Sequence, residues 1–128
     1  MRSSLIGILV SASALGATAC QNSQVTNADD VIFPDSLVSY NRHVDPFLSI
    51  SCGQCHGPTN PAGGIDLTSY SGLLFDRPNL VVPGKPDESL LIQVLEGVFA
   101  HPVGDLTRIP SNHVQGTRTW IAEGAQNN

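Results

Sequence analysis

The chain has 128 residues, is 41% hydrophobic and 13% charged, and carries a formal net charge of −5. That length suits one domain. The acidic balance argues against a nucleic-acid binder and against a basic surface held to anionic lipid.

The chain opens with Arg2 and then an apolar run from Leu5 to Ala17 that contains no charge. This is the n-region and h-region of an export signal, and it is too short to span a bilayer. It ends in Ala17-Thr18-Ala19-Cys20, which resembles a bacterial lipobox with Ala17 in the place usual for Leu. Ordinary cleavage after Ala19 also fits. We expect residues 1–19 to be a lipoprotein-type signal and Cys20 to carry lipid. The protein would then be exported to the periplasm and anchored to the outer or inner membrane. Gln21 after Cys20 resembles outer-membrane sorting. Cysteine arithmetic supports the anchor, because the other two cysteines have a use of their own and Cys20 would otherwise be left over. Once the signal is gone Arg2 is lost, so five Lys and Arg face eleven Asp and Glu.

From Gln21 to Asp30 the composition is polar. Residues 20–33 read as a flexible tether and 34–125 as the folded domain. Ser36 to Arg42 could be a strand or a further helical turn. Asp45-Pro46 then marks a helix start, with Asp45 as cap and Pro46 in the first turn. Phe47, Leu48 and Ile50 would supply apolar side chains to the pocket that this helix borders.

Residues 52–56 read Cys-Gly-Gln-Cys-His. C-x-x-C-H is the attachment pattern for a c-type haem. Cys52 and Cys55 would each add to a porphyrin vinyl group, and His56 would bind iron from the proximal side through a neutral ring nitrogen. Three other readings compete. A thioredoxin-like redox pair wants a βαβ context, which is missing. A zinc site wants a second ligand pair, and none follows. A disulfide across so short a loop is strained and staples little. There is no second C-x-x-C-H, so one haem c per chain is expected.

Gly57, Pro58, Pro61, Gly63 and Gly64 make a loop of residues 57–64. A short extended stretch follows over Ile65-Asp66-Leu67. Thr68 or Ser69 then caps a short helix to about Leu74 or Phe75. A second loop runs from Pro78 to Pro86. The apolar stripe Leu90, Leu91, Val94 and Leu95 predicts a helix over Asp87 to Glu96, with Asp87 and Glu88 in its first turn and Gly97 ending it. A loop over 98–110 leads to a last helix from Pro110 and Ser111 to Glu123. Val114, Thr117 and Ile121 share its inner face, with Trp120 beside them. The expected fold is all-α: three to four short helices and long loops around one covalently bound haem.

Several of these stretches together resemble a known family, the small monohaem cytochromes c of the planctomycete type. They are Val44-Asp45-Pro46-Phe47-Leu48, Cys52-Gly53-Gln54-Cys55-His56-Gly57, Gly63-Gly64-Ile65-Asp66-Leu67-Thr68-Ser69-Tyr70, Val82-Pro83-Gly84-Lys85-Pro86-Asp87-Glu88-Ser89-Leu90-Leu91 and Trp120-Ile121-Ala122-Glu123-Gly124-Ala125. The resemblance implies a cytochrome c fold with the haem clasped between helices. It departs at one place. The family usually has Met-Pro-Pro ahead of the last helix, and that Met binds iron. Here the only Met is Met1, inside the signal. His101-Pro102-Val103-Gly104 stands in the corresponding loop and resembles the His-x-Gly-Gly loops of related cytochromes. His101 is therefore the candidate distal ligand. A surface role for His101 stays open. His113 reads as solvent-facing or capping, His43 as structural or exposed, and Lys85 as part of a turn.

Two functions remain. In the first, the protein is an electron carrier with both axial positions filled, meeting other redox proteins through transient contacts. In the second, an open distal site makes it a haem enzyme or gas sensor. No distal acid–base pairing stands near the loop, so the carrier is expected.

Overall fold

Pro46 has no N–H to lose in a first turn, and it fits there. Helix α1 (Asp45–Ser51) carries it at its start. The computed structural model describes residues 25–102, 106 and 108–128. The expected signal over 1–19, Cys20 and the first part of the tether lie outside the described residues. Among the described residues there is no strand. The order is a 3-10 turn (Ala28–Asp30), a π-helical turn (Tyr40–Val44), α1, a 3-10 turn (Ala62–Gly64), a π-helical turn (Gly72–Asp76), a 3-10 turn (Pro86–Glu88), α2 (Leu90–Leu95) and α3 (Ser111–Ala122). Helices this short are marginal alone and depend on packing.

The helix at α1 starts earlier than expected. Ser39 caps the π-helical turn through Oγ, which accepts from the Arg42 N–H, and the turn runs straight into α1. Asp45 is thus inside the helix, where its Oδ1 accepts from Ser49 Oγ at 2.8 Å. Phe47 and Leu48 are buried, while Ile50 faces outward. The helix expected after Thr68 is the π-helical turn Gly72–Asp76.

Ser89 shortens α2. Its backbone is extended, and its buried hydroxyl donates to the Lys85 carbonyl and accepts from the Val82 N–H, both at 2.9 Å. Asp87 and Glu88 therefore sit in a separate 3-10 turn, and the helix proper begins at Leu90. Its inner face is Leu91, Ile92 and Leu95, not the stripe through Leu90 and Val94. Gly97 closes it at φ 75° as expected.

α3 buries His113, Gly116, Thr117, Trp120 and Ile121, the i, i+3, i+4, i+7, i+8 spacing of one helix face. Trp120 is fully buried against Tyr40 and Tyr70, with ring centres 5.7 and 6.5 Å away. Its Nε1–H donates to the Gln126 carbonyl at 2.9 Å. Such clusters bury large apolar areas, and Tyr70 meets both Tyr40 and Trp120 edge-on, a geometry from which aromatic pairs gain.

The packed body is wider than 34–125, and the tether expected over 20–33 is partly folded. Val31 is buried, and Phe33 lies on Gly116, where an added Cβ would stand 2.1 Å from the Phe33 ring. Asn128 accepts from the Asn41 N–H at 3.0 Å and from Ser39 Oγ at 2.7 Å. Val31 and Phe33 follow a polar run, and burial of Val31 with the seating of Phe33 on α3 outweighs the local preference for a free chain.

Candidate haem site

The C-x-x-C-H stretch grows from the end of α1. Cys52 closes that helix, its N–H donating to the Leu48 carbonyl at 2.8 Å. Gly53 follows at a point of close approach: a Cβ there would stand 2.3 Å from the Ser49 carbonyl oxygen. Two further bonds tighten the turn, Cys55 N–H to Cys52 O at 3.1 Å and His56 N–H to Cys52 O at 2.9 Å. Cys52, Cys55 and His56 thereby stand on one hydrogen-bonded turn.

His56 is oriented by its other ring nitrogen. Nδ1 lies 3.1 Å from the Ile65 carbonyl, so Nδ1–H donates and the Nε2 lone pair is left for a metal. This is the arrangement by which a second contact fixes tautomer and ring direction in metal-binding histidines. The Leu67 N–H donates to the His56 carbonyl at 2.8 Å, which pins the same loop. The loop in turn rests on Asp66, whose Oδ1 accepts from the Thr68 N–H and Oγ1–H at 2.8 and 2.6 Å.

Cys52 is half-buried and Cys55 exposed. Burial pushes the Cys52 thiol up to about 11, and Cys55 beside it adds to the shift. A position that opposes a thiolate opposes thiol exchange and zinc ligation, both of which need the charged sulfur. A thioether carries no charge and meets no such resistance. Among the described residues no group of three or more His, Cys, Asp and Glu comes together that could hold a metal ion. The donor set therefore fits a haem: two sulfurs for the porphyrin edge and one oriented imidazole.

His101 is brought to the same place. Its ring centre lies 5.9 Å from that of His56, with the planes inclined at 64°. The other two histidines are elsewhere. Burial lowers the affinity of His43 for a proton, and its Nδ1 accepts from the Ser39 N–H at 3.0 Å, which is a structural role. Lys85 pairs with Glu88 at 3.1 Å in its exposed turn. His113 is not solvent-facing. It is 1% exposed, because it falls in register with Gly116, Thr117 and Trp120 on the inner face of α3.

A cavity of about 350 Å³ opens on Cys52. Phe47, Leu106, Ile109 and Pro110 give it apolar walls, and Asp29, Arg108 and His113 polar ones. Sequence reasoning named Phe47 and Cys52 here and missed the others. Their only signal was position, in a loop and a turn that folding brings against α1.

A helical body with this motif at the end of α1, and the imidazole turned by a carbonyl, is similar in make-up to a c-type cytochrome. Residues 52–97 match the family model described as planctomycete cytochrome C. It takes in the attachment motif and α2 and stops short of His101 and α3. No curated protein and no solved structure matches the chain.

Proposed function

We propose that the protein is an exported monohaem cytochrome c that passes single electrons between redox partners, with His56 and His101 as axial ligands. The approach of the two imidazoles carries this reading. Two imidazoles that bind one metal ion from opposite sides at about 2.0–2.1 Å each place their ring centres roughly 6 Å apart, and the observed separation is 5.9 Å.

The haem supplies the one-electron couple. The chain supplies the rest. Cys52 and Cys55 hold the porphyrin edge, the Ile65 carbonyl fixes His56, and the loop after α2 delivers His101. With two imidazoles and no Met, the potential is expected below that of a His/Met cytochrome. The partners are other redox proteins. The anchor is lipid at Cys20, which would keep those partners at the membrane face.

The test is the visible and paramagnetic spectrum of the holo-protein, with carbon monoxide added after reduction. A low-spin ferric signal and slow carbon monoxide binding are expected. His101→Ala should turn the iron high-spin and open it to carbon monoxide, while His43→Ala should not. A high-spin wild type that binds carbon monoxide at once would replace the carrier by a haem enzyme or gas sensor.

A further inference from the structure

His113 has no part in the reading above, yet its environment is unusual for a core side chain. The ring is buried between Phe33 and Phe47, with centres 5.5 and 5.1 Å away. Both nitrogens meet oxygen. Nε2 is 2.8 Å from the Ala28 carbonyl, and Nδ1 is 3.1 Å from Asn112 Oδ1. A neutral imidazole has one N–H and can donate to one of these; an imidazolium donates to both. The Asn112 amide can turn its nitrogen toward the ring when Nδ1 is bare. The site therefore accommodates both protonation states.

The same ring lines the cavity on which Cys52 opens. The other charged or titratable groups around it are Asp29 from the N-terminal turn, Arg108 from the segment before α3 and Cys52 from the end of α1. His43 stands beyond Phe33, with ring centres 5.8 Å apart. Asp29 and Arg108 oppose each other in sign, and Cys52 is neutral as thiol or thioether. Cys52 is the haem-attachment residue on this lining, so a haem held there would bring its redox-dependent charge to the edge of the cavity.

We propose that His113 binds a proton when the haem is reduced, so that the protein moves a proton together with its electron. The inference rests on the haem reading of Cys52, Cys55 and His56. In the step, a one-electron donor protein reduces ferric iron to ferrous, and the His113 imidazole takes one proton from solvent through the cavity bordered by Asp29 and Arg108. Oxidation by the acceptor returns both. The cause is electrostatic. A unit charge ~10 Å away through an effective dielectric constant of about 20 changes the proton affinity of a neighbour by roughly tenfold or more.

The test is potentiometric titration of the holo-protein between pH 5 and 8. The wild-type potential is expected to fall as pH rises, by about 59 mV in all across this window, the equivalent of a tenfold change for one electron. His113→Gln should flatten the profile over this window. Should that variant not fold, Asn112→Ala keeps the ring and its bond to Ala28, and it should move the pH at which the slope sets in. A flat wild-type profile overturns the proposal, as does a slope that survives His113→Gln or an onset unmoved in Asn112→Ala. Failure of the underlying reading looks different: no covalent haem would be found in the denatured protein, whereas a haem present with a flat profile removes the proton site alone.

Discussion

His56 and His101 face each other across 5.9 Å between ring centres, although one ends the attachment turn and the other lies in the loop beyond α2. Two separate constraints produce this. The Ile65 carbonyl holds His56 from behind. Gly97 at φ 75° turns the chain out of α2, so that the following loop comes back over the motif.

The turn that carries the Ile65 carbonyl depends on Asp66. The hydrogen bond from the Thr68 hydroxyl holds the Asp66 carboxyl below the usual carboxylate range; burial opposes this, and the Thr68 N–H and the Ser69 hydroxyl reinforce it. A depressed carboxyl contributes stability above its unfolded value of about 3.9 and loses it as pH falls through the lower folded value. Asp66→Ala should cost about 1 kcal/mol at pH 7, as loss of a comparable cap does. Denaturant titration should show the gap to wild type narrowing toward pH 3. A gap equal at both pH values would detach the effect from the carboxylate.

Gly116 and Phe33 should be energetically coupled. Gly116→Val places carbon where the Phe33 ring lies, and overpacking of this kind costs about 1–3 kcal/mol. Removing the ring as well, in Phe33→Ala with Gly116→Val, should recover part of the loss. A double-mutant cycle with no coupling would mean that the N-terminal segment does not bear on α3 in solution.

Lipid at Cys20 should decide where the protein resides. Cys20→Ser is expected to leave the domain soluble in the periplasmic fraction, with its haem spectrum unchanged. One acyl chain binds membranes only marginally, so firm retention of the wild type implies more than one. Retention of Cys20→Ser in the membrane fraction would remove the anchor from the account.

The attachment motif was legible because its chemistry is local: spacing alone places the thiols and the imidazole. The helix start at Ser111 and the stop at Gly97 were legible for the same reason. His113 was misread because a polar name concealed its register, although His113, Gly116, Thr117 and Trp120 repeat with helical spacing. The docking of Val31 and Phe33 was hidden more deeply. A short apolar run after a polar one does not announce its partner, and the notch that Phe33 fills is a glycine on α3. The split between Pro86–Glu88 and α2 depends on the two hydrogen bonds of one buried hydroxyl, at Ser89. Nothing in local propensity foretells that.

The central claim is that one haem is bound covalently through Cys52 and Cys55. Its most direct measurement is the mass and haem stain of the denatured protein, made in cells that mature c-type cytochromes. The account predicts a chain that keeps one haem through denaturation, with Cys52→Ala, Cys55→Ala together losing it. A wild-type chain that sheds all haem on denaturation, made in cells that attach haem to other cytochromes, would contradict it.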